Sequence, residues 1–204
     1  FLENPPGPLE FAPTKWLLKL IYNKDFLNYD FFYLTGHDWH LLYQDVFNTY
    51  DQTWFKSLRL ESRFFIRPAH KLNIAGRVRL AISTNEDTPF APFVLDSFVN
   101  IRGVGNRIDR GTAQAVLNLE SRYTLFHKPK WASQAVIFSD LGTWRKPGGS
   151  LSELVMRKSL QHFVGMGVRF IYPKVFGAIF RIDYGVDIYD LKQRKIVIGL
   201  GQYF

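Results

Sequence analysis

The sequence predicts an all-β chain folded as an antiparallel transmembrane β-barrel, with about ten strands in its 204 residues. Three observations carry this. Apolar and polar residues alternate with period two along most of the chain, which puts successive side chains on opposite faces of a strand. The alternating stretches run about 10 to 15 residues, whereas strands of soluble domains average about 5 to 6 and a tilted membrane strand needs about 9 to 11. No apolar run approaches the roughly 18 residues of a membrane helix, so any crossing must be made by strands. The competing arrangement is a large soluble antiparallel sheet with one wet face.

Residues 1–13, with Pro5, Pro6, Pro8 and Pro13, read as a linker leading into the barrel, and 14–204 as the barrel portion. Less regular strands are expected at 14–22, 27–35 and 39–49. From there the alternation sharpens. In 54–67, Leu58, Leu60, Phe64 and Ile66 oppose Arg59, Glu61, Arg63 and Arg67. In 70–84, Leu72, Ile74, Val78, Leu80 and Ile82 oppose Asn73, Arg77, Arg79 and Ser83. In 111–126, Ala113, Ala115, Leu117, Leu119, Tyr123 and Leu125 oppose Gln114, Asn118, Glu120, Arg122 and Thr124. Residues 131–143 continue the pattern. In 162–172, Val164, Met166, Val168 and Phe170 oppose Gly165, Gly167 and Arg169. In 175–188, Phe176, Ala178, Phe180, Ile182, Tyr184, Val186 and Ile188 oppose Arg181, Asp183 and Asp187. The last strand, 194–204, carries Ile196, Ile198, Leu200, Gln202 and Phe204 on one face.

Tight connections are expected at 36–38, 68–69, 127–130 and 173–174, and long ones at 85–110 and 145–160. Short turns on one side with longer loops on the other is the outer-membrane arrangement, and it puts the end of the chain on the periplasmic side. Trp16, Tyr22, Trp39, Trp54, Trp131, Tyr172 and Phe204 are the set expected to form aromatic girdles, in a chain that is 17% aromatic.

Composition and motifs exclude several classes. With no cysteine there is no disulfide framework, Cys metal site or Cys nucleophile. The net charge of +8 is scattered rather than clustered, unlike a nucleic-acid surface. His-Glu-x-x-His and Gly-x-Ser-x-Gly are absent, and Gly103-Val104-Gly105 lacks the strand–helix context of a nucleotide loop. His37, Asp38 and His40 have the chemistry of metal ligands, although a solvated turn explains them better. No catalytic residue, cofactor or metal is expected, and the chain does not read as an enzyme. It begins at Phe1 without an initiator Met, as a mature or excised chain does.

One ordered series is more specific. Residues 92–111 contain Ile101-Arg102-Gly103-Val104. Then come Ala115-Val-Leu-Asn-Leu-Glu120, Phe138-Ser-Asp140-Leu-Gly142-Thr-Trp144, Gly165-x-Gly167-Val-Arg169 and Arg181-x-Asp183-x-Gly185. In this order they resemble the C-terminal part of the BamA-type superfamily of bacterial surface-antigen barrels, which contains outer-membrane protein insertases and two-partner secretion pores. The family hallmark is an apolar-Arg-Gly-aromatic tetrad in a long outer loop, followed by five strands. Val104 replaces the usual aromatic.

The resemblance implies a barrel of about 16 strands, of which this chain supplies the C-terminal part, with loop 85–110 folded into the lumen. It implies residence in the bacterial cell outer membrane and a part in assembling or exporting outer-membrane proteins. Expected partners are outer-membrane lipid and lipopolysaccharide, client outer-membrane proteins, and periplasmic or lipoprotein accessory subunits, with no nucleic acid. It implies that Arg102 is held by Glu120 and Asp140, which parity puts on the polar faces of the next two strands. The alternative is an Arg102 bound to lipopolysaccharide phosphate. In such a barrel the last strand forms one lip of a lateral seam, here Ile196, Ile198, Gly199, Leu200, Gly201 and Phe204, with Phe204 as the terminal sorting aromatic. Gly199 and Gly201 either weaken that strand or relieve crowding inside. The alternative functions are a passive porin-like or structural barrel within an envelope complex, a two-partner secretion pore, or a small closed barrel.

Overall fold

The computed structural model describes residues 15–49, 52–84, 92–94, 96–97, 99–105, 110–175 and 178–204; the linker expected at 1–13 lies outside them. Nine strands form one antiparallel meander: β1 (Lys15–Asp30), β2 (Tyr33–Asn48), β3 (Trp54–Ala69), β4 (Leu72–Ser83), β7 (Ala113–His127), β8 (Ala132–Arg145), β9 (Gln161–Ile171), β10 (Ile179–Asp187) and β11 (Arg194–Leu200). Between β4 and β7 the chain leaves the sheet and makes a two-residue ladder, β5 (Phe93–Val94) with β6 (Arg110–Gly111). The only helical elements among the described residues are short 3-10 turns at Leu151–Val155 and Arg157–Ser159. Each main-sheet strand pairs only with its neighbours in that order. The sheet is therefore open, with β1 and β11 as its edges.

Register preserves the two faces from strand to strand. Ile137 on β8 stands opposite Met166 on β9, Met166 opposite Tyr184 on β10, and Tyr184 opposite Ile196 on β11. A row on the other face runs Arg77, Asn118, Asp140, Phe163, Asp187. Burial is inverted relative to a soluble sheet. Arg77, Asn118, Glu120, Arg122, Asp140, Arg169 and Asp183 are buried, while Ile137, Met166, Phe180, Ile196 and Leu200 are exposed. Water-facing sheets show the opposite alternation, apolar in and polar out.

Several expected boundaries are corrected. The two strands expected at 14–22 and 27–35 are one long strand, β1, and the start of β2, so among the described residues the main sheet has nine strands, close to the expected ten or so. The tight turn expected at 36–38 lies inside β2, and the chain reverses at Phe31-Phe32, with Phe31 at φ 57°. Gly36 takes φ 109° without leaving the ladder. Beyond it the hairpin end bends over the inner face. There Phe32 and Tyr33 pack with Ala132, Ile171 and Ile179, and Tyr33 Oη donates to Thr124 at 2.7 Å. The turn expected at 68–69 falls at 70–71. Pro68 cannot donate to the ladder, and the β3–β4 register shifts there between Ile66 and Ala69. β10 begins at Ile179 rather than 175, and Phe176 lies outside the described residues.

The largest correction is at the end of the chain. β11 stops at Leu200, and Gly201 at φ 81° turns the backbone inward. Gln202 and Phe204 therefore leave the outward face that carries Ile196, Ile198 and Leu200. Of the expected girdle residues, Trp16 and Trp54 lie at the long-loop end, and Trp131 and Tyr172 pack 5.6 Å apart at the turn end. Tyr22 and Trp39 fall mid-strand, and Phe204 belongs to the interior.

Candidate functional site

The described tip of the connection between β4 and β7, residues 99–105, lies against the inner face of the sheet. Its turn is organised locally. Asn100 and Ile101 N–H groups donate to Asp96 O at 3.3 and 2.9 Å, and Gly105 N–H donates to Ser97 Oγ at 2.6 Å. Ile101 and Val104 are buried with Val116, Trp144 and Phe163, so the apolar members of the tetrad seat the loop tip in a hydrophobic cluster. Gly103 has φ 96°, and a Cβ on it would stand 2.7 Å from the Phe163 ring. Facing it, a Cβ on Gly185 of β10 would meet Arg102 O at 2.7 Å. Glycine at both positions permits the close approach.

Arg102 is fully buried. Its backbone N and Nε donate to Asp140 Oδ2 at 2.9 and 2.8 Å, and its Nη2 donates to Asp140 Oδ1 at 3.0 Å. Its Nη1 donates to Glu120. The planar fork makes a two-point contact with Asp140 while its third nitrogen reaches Glu120, a bidentate geometry that an ammonium lacks. Burial by itself would lower the Arg102 pKa; Asp140 and Glu120 more than offset this and hold it above its ordinary value.

The pair belongs to a larger network. Glu120 also accepts from Arg122 Nε at 2.5 Å and Arg169 Nη2 at 3.3 Å. Asp183 accepts from Arg169 Nη1 at 2.7 Å and Arg181 Nη1 at 3.0 Å. Four guanidiniums thus surround three carboxylates, so these seven groups together carry one net positive charge. Asn118 ties the loop to this network, donating to Asn100 O and Asp140 Oδ1 at 2.8 Å each while accepting from Arg77.

Two aromatic contacts complete the site, and sequence reasoning missed both. The Arg102 guanidinium lies 3.7 Å from the Phe138 ring centre and 4.3 Å from that of Tyr203. Tyr203 Oη donates to Ser97 O at 3.1 Å, closing the tail onto the loop. Burial pushes the Tyr203 hydroxyl pKa up, so it stays a neutral donor. The signal available for Tyr203 was its odd parity, shared with the inward Val197.

The seam residues divide. Ile196, Ile198 and Leu200 are exposed on edge strand β11. Gly199 faces inward, where a Cβ would stand 2.8 Å from Arg181 Nε, so it makes room for that guanidinium. Gly201 ends the strand. Phe204 O accepts from Arg122 at 3.4 Å, and its ring lies 5.1 Å from the Arg77 guanidinium. Of His37, Asp38 and His40, only Asp38 and His40 come together. Asp38 is buried against Arg63, His40 Nε2 lies 3.4 Å from Asp38, and His37 occupies the opposite face against Phe26.

No family model matches this chain, and no curated protein does.

Proposed function

We propose that the chain is the C-terminal part of a BamA-type barrel in the bacterial outer membrane, and that the protein inserts or exports outer-membrane proteins. The observation that carries this reading is the seat of Arg102. A long loop delivers one Arg-Gly tip to the inner face, between carboxylates of the next two strands, as the resemblance implies. Two further features support a membrane setting. The outward face is apolar and exposed while the inward face is charged and buried, the alternation of a membrane strand. Strands β1 to β3 have 16 residues each, enough to cross a bilayer with tilt.

The mechanical part of the reading rests on the edges. An unpaired strand edge in hydrocarbon is costly, so β1 and β11 must be completed by further strands or by a client. β11 has only seven residues, and its inward turn at Gly201 shortens the ladder available to any neighbour. A weakly paired lip of this kind can open and template an incoming strand.

The packed inner face favours this over a plain porin, whose lumen is water-filled. The test is a pair of measurements on the protein in liposomes and in a planar bilayer. Accelerated folding of an outer-membrane client, without steady conductance, is the expected result. Steady conductance with no effect on client folding makes the protein a passive pore.

A further inference from the structure

The connection between β8 and β9 does not stand clear of the sheet. Ala113 on β7 and Thr143 on β8 carry outward parity, yet both are buried. The 3-10 turn at Leu151–Val155 contacts both strands, and Thr143 Oγ1 donates to Glu153 O at 3.4 Å. This turn is therefore folded over the apolar, outward side of the sheet at its long-loop end. It is pinned there: Ser152 N–H donates to the Ser150 side chain, and the Glu153 carboxylate accepts from Lys146 N–H at 3.0 Å.

What the turn presents outward is amphipathic. Val155 is 88% exposed, and Leu151 and Met156 are exposed beside it. Arg157 and Lys158 follow immediately and are exposed, with no carboxylate paired to either among the described residues. Arg157 lies 5.4 Å from the Tyr189 ring, which joins the turn to the β10–β11 connection, where Tyr189 and Leu191 are exposed next to Lys192. Asp190 is occupied in its own turn, accepting from Lys192 N–H at 3.1 Å and from Gln193. Apolar side chains directed away from the protein, next to cations without counter-ions, match the boundary between acyl chains and anionic headgroups.

We propose that residues 151–158 form an interfacial anchor: Leu151, Val155 and Met156 enter the headgroup boundary, and Arg157 and Lys158 bind the phosphates of an anionic leaflet. This rests on the membrane reading above. It adds a specific lipid contact to that reading and fixes the depth of the sheet, because the anchor sits on the side that faces lipid.

The absence of cysteine makes a site-directed test clean. Single variants Val155→Cys, Ile137→Cys and Asp190→Cys of the full chain are labelled with a polarity-sensitive dye. Each is reconstituted in vesicles of phosphatidylcholine alone, or mixed with phosphatidylglycerol, with spin-labelled lipid as quencher. The expected result is lipid quenching and a blue shift at 155 in the anionic vesicles, with 190 remaining open to aqueous acrylamide. Replacing Arg157 and Lys158 by Gln should lower the inserted-to-exposed ratio about fivefold for each cation removed. Quenching at 137 with none at 155 overturns the anchor and leaves the membrane reading intact. Equal quenching at 155 in both vesicle types overturns the anionic preference. No lipid quenching at 137 overturns the membrane reading, and the anchor with it.

Discussion

Arg102 and Asp140, separated by 38 residues, are joined by three hydrogen bonds, one from the Arg102 backbone N–H and two from its side chain. The backbone bond fixes the loop, the side-chain bonds fix the guanidinium, and one carboxylate serves both.

Removing either partner should leave a buried charge poorly compensated. Arg102→Ala and Asp140→Asn are each expected to destabilise by about 3–5 kcal/mol, read from urea unfolding of the reconstituted protein. Arg102→Lys keeps the charge and loses the fork, and should fall between those variants and the parent. An Arg102→Ala chain with unchanged stability and an unchanged protease pattern in loop 92–105 would show that the loop is held by Ile101 and Val104 alone.

Gly185 and Gly199 should respond differently to a methyl group. At 185 it meets the Arg102 carbonyl in backbone that cannot retreat, so Gly185→Ala is expected to cost about 1–3 kcal/mol and to expose the loop to protease. At 199 it meets the end of the flexible Arg181 side chain, and the change should be small. Similar losses at both sites would argue that Gly199 is needed for more than space.

The tail depends on one left-handed residue. Gly201→Val forces a β-branched side chain into φ 81° and should cost about 1–3 kcal/mol if the inward turn is kept. The alternative outcome is a straightened tail, in which Tyr203 leaves Arg102 and Ser97. Tyr203 fluorescence is ambiguous among ten tyrosines, so a spin label at Phe204→Cys paired with one at Phe65→Cys should report the lengthened distance. Deleting Phe204 tests the same element in cells, where heat-modifiable migration in the membrane fraction should be impaired more than synthesis.

The outward face offers the sharpest test of environment. Ile137 is 65% exposed, so in water Ile137→Arg should change stability by no more than about 0.5 kcal/mol. In a bilayer the same change near the midplane should cost about 2–4 kcal/mol. Equal tolerance in lipid vesicles and in a non-membrane environment would place this face in water.

The strand faces were legible because alternation is local. Glu120, Arg122, Asp140, Arg169 and Asp183 each declare an inward direction through parity with their own neighbours. The turns were less legible where composition misleads. Asp30-Phe31-Phe32-Tyr33 has no turn-forming glycine or proline, whereas Gly36-His37-Asp38 resembles a turn and stays in the ladder. The Arg102 site was partly legible, since the tetrad and the two carboxylates follow from parity together with a family resemblance. Phe138 and Tyr203 as its ring contacts did not.

The sequence by itself determined which side chains face which way, because the period of two is imposed by the covalent chain and needs no partner. Only the tertiary structure decided which charges meet. Glu120 could pair with any of several inward guanidiniums, and strand order and register brought it to Arg102, Arg122 and Arg169. The tertiary structure also decided that the chain end turns inward at Gly201, against the parity of Phe204, and that the sheet remains open between β1 and β11. One left-handed residue carries the whole tail, Gln202 and Phe204 as well as Tyr203, to the inner side, and edge pairing is a long-range relationship that no local pattern fixes.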